Sequence, residues 1–154
     1  MPGYGIPDDE SGLLPWRWAS ERLGAARRYW VSTVRRDGRP HAVPVWGVWH
    51  DGAFWFSSGG QSRKVRNLSD DPRCVVTTDQ ADEAVIIEGI AGEVVDAAKD
   101  IALQDAYRKK YEEDLDPNLG PIFRVSPQVA FGFIDRDEKF RETATRWEFD
   151  SSSR

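Results

Sequence analysis

The chain has 154 residues, a mass of 17.5 kDa, 40% hydrophobic residues, a formal net charge of −5 and a pI near 5.1. That length fits one domain with its own core, and the acidic balance argues against a general nucleic-acid binder, which needs a clustered basic face for phosphates. The single cysteine, Cys74, excludes an internal disulfide framework and a thiolate zinc cluster.

The first residues, "MPGYGIPDDESG", have no cationic start and no apolar stretch of signal-peptide length. No run anywhere reaches the ~20 apolar residues of a membrane span. A cytoplasmic protein without a membrane partner is expected, with residues 1–13 as a flexible leader. In "LPWRWASERLGAARRYW", Trp16, Ala19, Leu23 and Ala26 recur at helical spacing, and Pro15 stands where a first turn tolerates proline. An amphipathic helix is predicted there. A meander of three strands follows, "YWVSTV", "HAVPVWGVW" and "AFWFSS", joined at the turn pairs Asp37-Gly38 and Asp51-Gly52. Pro44 inside the second strand marks an edge or an interrupted ladder.

The segment "SSGGQSRKVRNL", Ser57 to Leu68, opens on two hydroxyls and two glycines and carries three cations after them. A helix is predicted from about Ser62 to Ser69, with Ser62 as its cap. The unpaired N–H groups of such a helix start, with Arg63 as a two-pronged donor and Lys64 as a point charge, suit an anion, most naturally a phosphate. The GxxxxGK[ST] and GxGxxG spacings are both absent, so neither a nucleoside triphosphate nor a Rossmann dinucleotide has its fingerprint. The plain alternative is a solvated basic helix face.

"CVVTT" then reads as a strand with a buried thiol, and "AVIIEGIAGEVVD" as a long strand bent or bulged at Gly89 or Gly92. Glu83, Glu88 and Glu93 on it read as a wet face. "AAKDIALQDAYRKKYEED" reads as a helix capped by Asp96 and ending before Pro117. "IFRV", "VAFGFI" and a short "TRWEF" close the chain before a loose tail at 150–154. Seven Trp, seven Phe and four Tyr are a heavy aromatic load for one small domain; most belong to ordinary core or to a dimer interface, and core is the default reading for each. His41 and His50 have no third ligand in view, so no metal is expected, and no nucleophile with an adjacent base appears. The elements amount to a small antiparallel barrel of six or so strands with one helix in front and one inserted, an α+β arrangement.

Taken together, "RYWVSTVRRDGRPHAVPVWGVWHDGAFWFSSGGQSRKVRNLSDDPRCVVTT", "AVIIEGIAGEV" and "TATRWEFD" resemble the pyridoxamine 5′-phosphate oxidase-like family, especially its actinobacterial branch of flavin- and deazaflavin-dependent oxidoreductases. The resemblance covers residues 14–149. It implies a six-stranded antiparallel split β-barrel that forms a homodimer with cofactor sites at the interface. It puts Val43, Pro44, Val45 and Trp46 along the cofactor ring, Ser57, Ser58, Ser62, Arg63 and Lys64 around the phosphate, and Asn67 beside it. Arg146 and Trp147 fall near the partner subunit's site, and Arg66, Arg39 and Arg73 are candidates for an acidic cofactor tail. The activity implied is hydride transfer between coenzyme F420 and a small electrophilic acceptor such as an enone or quinone, with proton delivery from solvent or a tyrosine such as Tyr107. An FMN enzyme on the same barrel, and a non-catalytic carrier of a flat cofactor, stand as alternatives.

Overall fold

The computed structural model describes residues 13–136 and 139–150; the expected leader up to residue 12 and the tail from 151 lie outside them. In chain order the elements are α1 (Trp16–Ala25), β1 (Tyr29–Val34), β2 (Pro40–Val45), β3 (Val48–His50), β4 (Ala53–Ser57), α2 (Arg63–Asp70), β5 (Arg73–Thr78), β6 (Glu83–Glu93), α3 (Ile101–Tyr111), β7 (Ile122–Ile134), α4 (Phe140–Thr143) and β8 (Thr145–Glu148). A single 3-10 turn, Ala97–Lys99, precedes α3.

All pairings are antiparallel, in the order β2-β1-β5-β6-β7-β4-β3, with β8 added to β7. The two ends of that order, β2 and β3, are separated in sequence only by Trp46 and Gly47. The sheet must therefore curl until its edges are joined by two residues of chain, which makes a split barrel. The predicted single strand "HAVPVWGVW" is thus two strands, and the meander turns through the barrel seam. Gly47 is the reason the chain can pass there: a Cβ would stand 2.3 Å from Phe54 Cζ and 2.7 Å from the Trp55 carbonyl oxygen.

The strand alternation fills the barrel with Tyr29, Val31, Val45, Phe54, Phe56, Val76, Val85, Ile87 and Val125, with Ala19 and Leu23 of α1 and Val65 and Leu68 of α2 closing onto them. A second cluster, Val48, Ala53, Trp55, Leu103, Tyr107, Tyr111 and Ile122, packs β3 and β4 beneath α3. β4 is buried on both faces, which is why "AFWF" shows no alternation. Cys74 lies in the first cluster, and burial pushes its thiol up to about 12.

Asp51 and Gly52 both adopt positive φ, +52° and +70°, the conformation of a tight hairpin between β3 and β4. The bulge falls at Gly89, where β7 carries the extra residue Gln128 and a Cβ would lie 2.6 Å from the Ser126 carbonyl oxygen; Gly92 is open on all sides. "IFRV" and "VAFGFI" are one strand rather than two. Pro127 sits on it between the stretch paired to β4 and the stretch paired to β8, where a missing N–H costs no ladder bond on that side. The cap of α3 is Asp100, whose carboxylate accepts from Leu103 N at 3.1 Å, and not Asp96, which precedes the 3-10 turn.

Candidate functional site

The anion segment is built at the end of β4. Ser57 closes the strand, and the loop from Ser58 to Gln61 leads into α2, whose cap is Ser62. Ser62 Oγ accepts from Val65 N at 3.4 Å and lies 3.0 Å from Ser58 Oγ, so the two hydroxyls form one polar lip at the helix start. The loop is backed by the α3–β7 connection. Ser58 N donates to the Pro121 carbonyl at 3.3 Å, and Gly120 approaches so closely that a Cβ would stand 1.8 Å from the Ser58 carbonyl oxygen.

Asn67 faces inward: its Nδ2 donates to Thr33 Oγ1 at 2.9 Å and the residue is 2% exposed. Its amide fastens α2 to β1. It fixes the direction in which the helix start points and is not on the helix surface with Arg63 and Lys64.

The electrostatics are one-sided. Among the described residues Arg35, Arg63, Lys64 and Arg66 form no ion pair. Lys64 is half-buried, and desolvation lowers its pKa from the ordinary lysine value. His41, on β2 opposite Thr33, has its pKa lowered by desolvation and then by the charges of Arg35, Lys64 and Arg63; its Nδ1 is shielded and has no hydrogen-bond partner among the described residues. A half-buried ammonium without a counter-ion, next to free helix N–H groups, is a place where bound negative charge is favoured. A groove of about 400 Å³ continues along α2, lined by Arg36, Arg63, Arg66, Ser69 and Asp70. The other tail candidates are engaged elsewhere: Arg39 pairs with Asp37 at 2.9 Å and Arg73 with Asp71 at 2.7 Å, which holds the Asp71 carboxyl down at about 2. Arg36, too, has a partner, Asp70, at 2.8 Å.

On β2 the alternation divides the four expected ring contacts. Val43 and Val45 turn into the barrel core, while Pro44 and Trp46 are exposed. Pro44 stands opposite Trp30, itself 46% exposed, on the outer face of the sheet edge. Trp46 is stacked on Tyr111 with ring centroids 4.7 Å apart. Arg146 pairs with Glu148, and Trp147 packs edge-on against Trp16 at 5.2 Å. Arg146 lies opposite Phe131 whereas Ser57 lies opposite Ile122, so about 30 Å of β7, at its ~3.3 Å rise per residue, separates the C-terminal pair from the anion segment of the same chain. Tyr107 belongs to the cluster beneath α3, its hydroxyl pushed up to about 12 by burial, and its ring lies 4.8 Å from Tyr111, the ring on which Trp46 stacks. Among the described residues no cluster of three His, Cys, Asp or Glu side chains could hold a metal ion.

The profile of the family described as Pyridoxamine 5′-phosphate oxidase matches residues 19–134, from α1 to the end of β7. The chain belongs to this family. A search of curated protein sequences gives no match. Among solved structures, an F420 reductase superposes with a TM-score of 0.59 at 19% identity, covering 72% of this chain and 94% of that one. A conserved hypothetical protein from Mycobacterium tuberculosis superposes at 0.69, with 18% identity, 85% of this chain and 91% of that one. A heme storage protein from Vibrio cholerae superposes at 0.61, with 17% identity, 74% of this chain and 91% of that one. At these identities the likeness is one of fold.

Proposed function

We propose that the protein is a coenzyme F420-dependent reductase that delivers hydride to a small electrophilic acceptor such as an enone or quinone. The observation that carries this reading is the run of cations on α2, Arg63, Lys64 and Arg66, which form no ion pair among the described residues of an otherwise acidic chain. They sit where a capped helix presents its N–H groups, and Arg66, one turn on from Arg63, carries unpaired positive charge into the neighbouring groove, more than a single phosphate requires. An acidic tail attached to the phosphate suits that extension, whereas FMN ends at the phosphate.

The donor set fits such a cofactor. Ser58, Ser62, Arg63 and Lys64 would hold the phosphate, Arg66 the tail, and Pro44 and Trp46 would offer the apolar surface for a flat ring. When bound, a deazaflavin supplies the hydride and is slow to react with oxygen. The chain's own residues then have to bind, orient and exclude water, and a side-chain nucleophile is unnecessary. Val43 and Val45, locked in the core, fix the strand that carries Pro44 and Trp46, and Tyr111 fixes the Trp46 ring. The protein's working form is a homodimer with Arg146 and Trp147 brought to the partner's site, which their distance from α2 of the same chain requires if they are to serve it. The exposed Trp30 and Pro44 on the sheet edge favour such pairing.

Steady-state oxidation of reduced F420 with a panel of enones and quinones tests the reading. Turnover supports it. Turnover with reduced FMN but not with F420 would keep the barrel and change the donor, and stoichiometric binding without oxidation across the panel would make the protein a carrier.

A further inference from the structure

Across the seam from β2, a cavity of about 410 Å³ opens between α1, β3 and α3, lined by Gly24, Ala25, Arg27, Val48, Trp49, Ala106, Lys109 and Lys110. Three of those side chains are cations, none is a carboxylate, and none of the three forms an ion pair among the described residues. Lys110 is the inner one. Its ammonium donates to Tyr29 Oη at 2.6 Å and to the Gly47 carbonyl at 3.2 Å, both neutral acceptors, and stands 4.8 Å from the Tyr29 ring centroid. An ammonium has three N–H donors, so one remains for whatever occupies the cavity.

We propose that this cavity is a second binding site, separate from the α2 anion segment, for a small organic carboxylate whose charge meets Lys110 and Arg27 and whose apolar body packs on Trp49 and Val48. A lysine held by two neutral oxygens keeps only part of the stabilisation that a counter-ion would give, and removing charge from water without one is costly. Burial, followed by the like charge of Arg27, pulls the Lys110 pKa down to about 8. The nearby carboxylates do not relieve it. Asp79 and Glu83 line a neighbouring groove of about 350 Å³ together with Arg22 and Arg27, and Glu83 is taken up by Arg22 at 2.9 Å and Arg136 at 2.7 Å. A bound carboxylate would supply the missing charge, and the flat indole of Trp49 at the wall favours an aromatic or unsaturated body over a polar one. The inference stands whether or not the protein uses F420, since it involves none of the α2 residues.

The test is a calorimetric titration of the full chain with sodium benzoate at pH 7, for the wild type, Lys110→Met, Arg27→Gln and Lys64→Ala. The expected result is saturable binding to the wild type and to Lys64→Ala, weakened by roughly tenfold or more in Lys110→Met through loss of a charge-assisted hydrogen bond. Arg27→Gln should weaken it too, and carries the test if Lys110→Met does not fold. The wild-type affinity should also fall as pH rises past about 8, where Lys110 loses its proton. The proposal is overturned if benzoate up to about 10 mM, well above a millimolar Kd, does not bind. It is equally overturned if neither Lys110→Met nor Arg27→Gln changes the affinity, or if only Lys64→Ala abolishes binding.

Discussion

Trp46 lies flat on Tyr111, their ring planes 2° apart and their centroids 4.7 Å apart. Tyr111 Oη meets the backbone of the very next residue, accepting from Gly47 N at 2.9 Å and lying 2.7 Å from the Gly47 oxygen, with Arg27 O at 3.1 Å. One side chain of the inserted helix thus satisfies the backbone at the barrel seam, where β2 has lost β1 and β3 has not yet found β4. It also sets the ring beside it.

Tyr111→Phe keeps the stack and removes the hydroxyl. It should destabilise the fold by about 1–3 kcal/mol, the cost of leaving buried polar groups unpaired, as read from urea unfolding. A variant as stable as the wild type would mean that water replaces the hydroxyl and that the seam does not depend on α3.

Gly47→Ala should cost about 3 kcal/mol, at the upper end for overpacking, because the new methyl group meets Phe54 and the rigid Trp55 carbonyl at under 3 Å. Thermal unfolding compared with Gly92→Ala, whose position is open, separates the clash from any general cost of losing a glycine.

Lys64→Ala should weaken F420 binding by about 1.5–3 kcal/mol, the range for hydrogen bonds to charged groups. Arg66→Gln should weaken F420 more than FMN, because only the former has a tail to reach the groove. Calorimetric titration of both variants with both cofactors checks this, and equal losses for the two ligands in Arg66→Gln would remove the argument for a tail.

Lys110 gives a pH signature. Its folded pKa of about 8 lies below the ordinary value of 10.5, so between those limits the unfolded chain binds more protons than the folded one. Stability contributed by this residue must therefore rise with pH across that window. The slope of stability against pH from 8 to 10 should be smaller in Lys110→Met than in the wild type, and an identical slope would contradict the assigned burial.

Much of this was legible in the sequence because local chemistry and global position agree. The Ser62 cap, the Asp51-Gly52 turn, the buried Cys74 and a bulge at one of the two glycines of β6 each follow from what one residue type can do at one place, and the register selects Gly89 over Gly92. Other features depend on chain segments far apart. The split of "HAVPVWGVW" arises from Phe54 and Trp55 pressing on Gly47, and the inward turn of Asn67 arises from Thr33, 34 residues earlier. Asp100 replaces Asp96 as the cap because a 3-10 turn intervenes. In the site, the α2 cations could be seen in a line of text, but the loss of Arg39 and Arg73 to neighbouring aspartates could not. Nothing in the sequence sets Lys110 apart from Arg108 and Lys109 beside it. Only its fold partners Tyr29 and Gly47 distinguish it. Pro44, which marks an edge or an interrupted ladder, is the sequence signal nearest the seam, since β2 ends the strand order.

Dimerisation is read by light scattering: the proposed interface requires a two-chain particle at micromolar concentration, and Trp30→Glu on the outer sheet face should shift it toward the monomer. A wild-type monomer under the same conditions would leave Arg146 and Trp147 with no route to the α2 site.

The most direct measurement is a titration of the protein's tryptophan fluorescence with F420 and, separately, with FMN and heme. The account predicts saturable quenching by F420, a weaker response to FMN, and loss of the F420 response in Lys64→Ala with the fold intact. Tighter binding of heme or FMN than of F420, or an F420 response indifferent to Lys64, would contradict it.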